Sequence, residues 1–176
     1  MQTLKLHDLE ASRRLVNLTI RLHFSQADPV AIQALSNTAY KLLRKLSMEA
    51  KAPDIVPEYL NYLDVEDRRL FWSSLSVFEP MANPIIPGTS TPIIEIAEEV
   101  TDLQLFISCA MFRLLEHQHT HEMKIYIIWF KAINRLKAKS DPIYNENTRE
   151  GFDYLKSLPR NRQLKLGYDA LKNIPE

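Results

Sequence analysis

Glycine is almost absent from this chain: there are 3 in 176 residues, Gly88, Gly151 and Gly167. All-β domains rely on glycine for tight turns, so a sandwich or barrel is disfavoured. Three isolated glycines also provide no phosphate-cradling loop. Cysteine is limited to Cys109, which excludes an intramolecular disulfide. That thiol lies in the apolar run Leu105-Phe106-Ile107-Ser108-Cys109-Ala110-Met111-Phe112 and is expected to be buried and structural, in a reducing compartment. An excess of one charge is missing too. The 22 basic and 22 acidic residues balance, so nothing draws the whole chain to nucleic acid or an anionic membrane, and any such contact needs a local patch. No apolar run approaches the ~18 residues of a membrane span. The first ten residues mix Lys5, His7, Asp8 and Glu10 with leucines and do not read as a signal peptide. The expectation is a cytoplasmic chain with no membrane partner.

What is present is ordinary for a globular protein, with 45% apolar and 25% charged residues. The length fits one domain, 1–176, that buries roughly two-thirds of its unfolded surface without a disulfide or metal staple. Apolar spacing of three and four residues recurs along the chain. A first helix is expected over 8–25, with Ala11, Leu15, Leu18, Leu22 and Phe24 as its stripe. Asp28-Pro29 then sets an N-cap carboxylate before a proline at the first helical position, opening a helix over 29–49 on Ile32, Leu35, Ala39, Leu42, Leu43 and Leu46. Pro57 can open a short helix, and 65–77 is helical, with Leu70, Phe71, Leu75 and Phe78 as its core side. Residues 79–92 carry Pro80, Pro84, Pro87 and Pro92 with Gly88, and read as a proline-rich central loop, functional or merely connecting. A long helix over 97–117 has a face broad enough to be central, although Thr101 and Gln104 resemble a capping box and allow a later start. A further helix covers 122–137. After Asp141-Pro142, the stretch 141–176 closes with short helices over 146–158 and 160–172. Trp72 and Trp129 read as core residues.

Chemistry-bearing clusters are few. His117, His119 and His121, flanked by Glu116 and Glu122, can ligate a divalent metal, but they also read as a solvated turn between two helices. Lys156, Arg160, Arg162 and Lys165 alternate with Tyr154 and Tyr168, a pattern that can hold a single nucleic-acid strand. Glu150, Asp153 and Asp169 beside them suit an exposed helix face equally. No nucleophile elbow is present. The paired carboxylates Glu66-Asp67 and Glu98-Glu99 read as exposed helix positions, and no cofactor is expected.

Two motifs carry a resemblance. Leu18-Thr19-Ile20-Arg21-Leu22-His23-Phe24 followed by Asp28-Pro29-Val30-Ala31-Ile32-Gln33-Ala34-Leu35, together with the 123–130 segment ending Trp129-Phe130, resembles a family of small uncharacterised bacterial helical proteins over residues 15–136. That family is similar to HEPN domains, helical bundles found in prokaryotic toxins and RNases. The resemblance implies a helical fold, dimerisation and a catalytic Arg with a His a few residues later. Related chains carry Asn-Phe-Phe-Lys-His-Ala before the central loop. This chain has Ser76-Val77-Phe78-Glu79-Pro80-Met81 there, with Glu79 at the Lys position and Pro80 at the His position, so neither the acid–base group nor the cation is kept. Arg113 and His119 meet the loose HEPN spacing elsewhere, at the far end of a helix.

The resulting expectation is an all-α, single-domain bundle of about six to eight helices with a proline-rich loop in its middle. It acts as a non-catalytic binding or interaction module, pairing with itself as a homodimer or with another protein. The alternatives are a HEPN-type RNase or RNA-binding protein using Arg113 and His119 or the basic tail, and a metal-binding protein using His117, His119 and His121.

Overall fold

The computed structural model describes residues 7–61, 65–75, 97–116, 118–134 and 146–173. Among these, the chain forms eight helices: α1 (Asp8–Phe24), α2 (Pro29–Glu49), α3 (Val56–Leu60), α4 (Val65–Ser74), α5 (Glu98–Glu116), α6 (His121–Asn134), α7 (Glu146–Ser157) and α8 (Arg160–Lys172). The fold is an all-α, single-domain helical bundle. The proline-rich stretch 79–92, the 76–81 segment and the Asp141-Pro142 break lie outside the described residues.

Helix α5 occupies the centre, as its broad apolar pattern predicts. It packs along α2, and also touches α1, α3, α4 and α6. Leu105, Ile107 and Cys109 on it are fully buried. Cys109 is a free thiol, and burial raises its pKa far above the usual range, so it behaves as a small apolar side chain. The capping-box reading of Thr101 and Gln104 is corrected. Both lie inside α5 and turn their side chains into the core.

The start of α2 follows local chemistry closely. Pro29 opens α2, and the Asp28 carboxylate accepts from the Ala31 N–H at 3.0 Å. Asp28→Ala is expected to cost about 1 kcal/mol, read as a lower urea midpoint with an unchanged slope. An unchanged midpoint would show that the cap contributes nothing.

Helix ends show what scarce glycine entails. The left-handed residue that closes a helix is usually glycine, but here Gln26 (φ 56°) and Lys51 (φ 55°) take that conformation. Each is held by paired bonds: Ala27 N–H to the Leu22 carbonyl and Gln26 N–H to His23, then Ala52 N–H to Ser47 and Lys51 N–H to Met48.

The inward faces of α1 and α2 keep part of the expected stripes, with Phe24, Ile32, Ala39 and Leu43 buried, but add polar residues to them. On α1 the buried positions are Ser12, Val16, Thr19, Ile20, His23 and Phe24, while Leu18 is 46% exposed. Ser12 and Thr19 can face inward because each hydroxyl donates to the carbonyl four residues back, at 2.8 and 2.7 Å. On α2 Gln33, Ser36 and Asn37 are buried, with Ile32, Ala39, Tyr40 and Leu43. Gln33 Nε2 donates to Asn37 Oδ1 (2.8 Å) and to Gln104 Oε1 (3.0 Å), Thr101 Oγ1 donates to Gln33 Oε1, and Asn37 Nδ2 donates to the Ser74 carbonyl. This polar network ties α2 to α4 and α5. Trp129 is a core residue as expected. Trp72 is not: it is 47% exposed, with the Arg44 guanidinium 5.7 Å from its ring centre.

Candidate functional site

A half-open cavity of about 360 Å³ lies where the C-terminal end of α1 meets the N-terminal ends of α2, α5 and α8. Its apolar wall includes Ile32 and Leu164, and its ionisable groups are His23, Glu98, Asp102 and Arg160. The size falls in the range of small-molecule sites, which combine apolar walls with a few placed polar groups.

The polar cluster is assembled from three distant parts of the chain. Helix α1 turns His23 inward, 6% exposed, against Phe24, Tyr126 and Trp129, with ring centres 5.2–5.5 Å away. One turn into α5, Asp102 is 3% exposed. At the start of α8, Arg160 Nη2 donates to both Asp102 oxygens at 2.8 and 2.6 Å. The guanidinium also lies over the Trp129 ring, 4.8 Å from its centre. The backbone around the cluster is pinned: Tyr126 donates its hydroxyl to the Asp102 carbonyl (3.0 Å), and the Trp129 indole N–H donates to the Gln163 carbonyl (3.1 Å).

Two nitrogens are left over. His23 Nε2 lies 3.4 Å from Asp102 Oδ1 but makes no hydrogen bond among the described residues, and neither does Arg160 Nε. Buried polar atoms are satisfied in the great majority of cases, so two orphans on residues that line one cavity mark a place for a ligand or water.

Burial and the Arg160 charge lower the His23 pKa to about 3, so the ring is neutral at physiological pH. Burial acts the other way on Asp102 and lifts its pKa to about 7, with the Arg160 charge and hydrogen bonds opposing the rise. The signs in the stability balance are opposite. The folded His23 value is below its ordinary 6.5, so His23 contributes stability above pH 6.5 and loses it as the pH falls towards 3. The folded Asp102 value is above its ordinary 3.8, so its contribution is full below pH 3.8 and is lost as the pH rises through 7. Between these limits the unfolded chain keeps one proton on histidine and the folded chain keeps one on Asp102. The pair then adds almost no pH slope to stability from about pH 4 to 6.5. NMR of the His23 ring is expected to show a neutral imidazole throughout that range. A transition near pH 6 would contradict this.

The residues singled out from sequence are distributed differently. Arg160 belongs to the cavity rather than to a basic face. Lys165 is held by Asp169 at 2.8 Å. Lys156 and Arg162 are exposed, and Arg162 lines a second, open groove with Lys165 and Tyr154, which is 62% exposed. Arg113 is exposed near the end of α5, while His119 is half-buried beyond it. Burial, then the Arg113 charge, lower the His119 pKa. Neither residue lines the cavity or the groove. His117 lies outside the described residues and His121 is exposed at the start of α6. Among the described residues no group of three or more His, Cys, Asp or Glu side chains could hold a metal ion. No described helix is long and apolar enough to cross a membrane.

Nothing in the sequence marks His23 or Asp102 as special. His23 stands in a run that reads as amphipathic helix, and Asp102 follows Glu98 and Glu99 like another exposed acid. The available signal is slight: Phe24, two residues after Leu22, departs from the 4-3-4 spacing of Ala11, Leu15, Leu18 and Leu22. No protein-family model matches this chain, no curated protein matches it, and no solved structure matches its fold.

Proposed function

We propose that this protein is a non-catalytic binding module whose ligand is a small molecule held in the His23–Asp102–Arg160 cavity. The observation that carries the reading is a cavity of suitable size lined by His23 and Arg160, each of which holds a buried nitrogen with no hydrogen-bond partner among the described residues. Binding is favoured over catalysis by the state of that histidine. A ring with a pKa of about 3 is a weak base at neutral pH, and Asp102, whose pKa of about 7 would suit acid–base work, has both carboxylate oxygens held by Arg160. The Thr101 hydroxyl on the same wall directs its single proton at acceptors of the fold, Gln33 Oε1 or the Ala97 carbonyl.

The test is an NMR titration of the full chain with mixtures of organic acids, amines, nucleosides and sugars. At least one class is expected to shift the Trp129 indole and His23 signals at millimolar concentration or below. If no mixture moves either signal, the cavity is not a ligand site.

A second reading, RNA binding in the HEPN manner, draws on the exposed Tyr154 beside Arg162 in the α7–α8 groove. It calls for salt-sensitive RNA affinity that Tyr154→Ala reduces. Salt-independent or absent binding removes it. Homodimerisation is the companion proposal, supported by large apolar side chains left exposed at Leu18, Met48 and Trp72. Sedimentation showing only monomer at micromolar concentration would count against it.

A further inference from the structure

We propose that the cavity takes a small organic acid, with its carboxylate on the Nε edge of Arg160 in place of the Glu98 carboxylate and its body against Ile32 and Leu164. This rests on the cavity being a ligand site and specifies the ligand's class.

The guanidinium is half used. Its Nη2 serves Asp102, while its Nε is buried without a hydrogen bond among the described residues. An anion close to Nε is Glu98, whose Oε2 lies 3.5 Å away on a side chain that is 62% exposed. Exposed, loosely aligned ion pairs are weak, so a better-placed carboxylate can displace this one. Glu98 therefore stands where a ligand monoanion would sit, and a carboxylate on guanidinium is among the strongest neutral-pH pairings a side chain offers.

The start of α8 adds to the attraction. It opens onto the cavity with no described side chain capping it, and so presents the positive end of a helix dipole, whereas Asp28 and Glu98 already occupy the starts of α2 and α5. His23 supplies an independent indication. Its unpartnered Nε2 is 3.4 Å from Asp102 Oδ1, the same oxygen that Arg160 Nη2 reaches at 2.8 Å. Imidazole and guanidinium are thus separated by one carboxylate oxygen. A molecule only a few atoms long spans both, with its carboxylate on Arg160 and an adjacent oxo or hydroxyl oxygen at His23. A phosphate dianion fits less well because Asp102 and Glu98 face it with like charge. An amine on the Arg160 edge would set one donor cation against another, since a guanidinium offers only donors.

The test compares four probes on the full chain by calorimetry and by the Trp129 indole signal: 4-methyl-2-oxopentanoate, 4-methylpentanoate, 3-methylbutylamine and 3-methylbutyl phosphate. The oxo acid is expected to bind about ten-fold or more tighter than the amine and the phosphate, and tighter than the acid lacking the oxo group. Arg160→Lys is expected to weaken it about ten-fold by removing the planar fork. Glu98→Gln, at an exposed position that leaves the fold intact, is expected to tighten it several-fold by removing the internal competitor. Amine or phosphate binding as tight as the acid, no binding of either acid, or a Glu98→Gln variant with unchanged or weaker affinity overturns the proposal. If the acids fail while some other class in the wider titration moves Trp129, the cavity remains a ligand site and only the acid assignment falls. If nothing in either experiment moves it, both fall.

Discussion

Arg160→Met is expected to lower folding stability by about 3 kcal/mol at pH 8, because it leaves the buried Asp102 carboxylate without its partner. The loss is expected to shrink at lower pH. Asp102 is almost wholly enclosed, and burial already lifts its pKa to about 7 with Arg160 in place. Without the guanidinium the folded-state value rises further above the unfolded value of 3.8. A raised carboxyl contributes stability at low pH and loses it as the pH climbs through the folded value, so the variant becomes steadily weaker towards alkaline pH. Part of the loss is independent of pH, since the guanidinium also stacks on Trp129, a contact worth about 1 kcal/mol. Urea unfolding at pH 6 and pH 8 measures both parts. Equal losses at the two values would show that Asp102 is not the source. Adding Asp102→Leu to Arg160→Met is expected to restore most of the stability, as buried ion pairs commonly tolerate apolar replacement.

Gly167→Ala is expected to destabilise the protein by about 2 kcal/mol through overpacking, although alanine is the better helix former by about 1 kcal/mol. Gly167 lies within α8, where the helix crosses α1. A Cβ there would fall 2.2 Å from Phe24 Cε1 and 2.4 Å from Cδ1. The Phe24 ring cannot swing clear, because it packs against His23, Tyr126 and Trp129 and is 1% exposed. The clash therefore outweighs the propensity gain, and the strain falls on the aromatic floor beneath the cavity. Thermal unfolding measures the effect. Phe24→Leu in the same chain frees space and is expected to reduce the additional cost of Gly167→Ala. A stabilised Gly167→Ala single variant would show that α1 and α8 are not in this close contact. Gly151, where nothing lies within 4 Å of an added Cβ, is the control, and alanine there is expected to be neutral or mildly stabilising.

Helix boundaries were legible in the sequence because their causes are local. Asp28-Pro29 caps and opens α2 through its own backbone geometry, the broad apolar pattern of α5 makes it central, and α8 runs from Arg160 to Lys172 as the spacing predicts. The all-helical class follows from the same local terms, together with the shortage of glycine. What the sequence did not determine is which face of a helix turns inward. On α1 the leucines suggested one stripe, but the buried one carries Ser12, Thr19 and His23. Serine and threonine satisfy themselves on their own helix, whereas His23 is brought inside by Tyr126, Trp129, Asp102 and Arg160, which lie about 80 to 140 residues away along the chain. The cavity has the same origin. Arg160 read as one of four basic residues on a solvated face, and only the approach of α8 to α1 and α5, permitted by the missing side chain at Gly167, delivers it to Asp102. Propensity and capping act over one turn of backbone, whereas the burial of a charge depends on partners that the folded chain alone brings together.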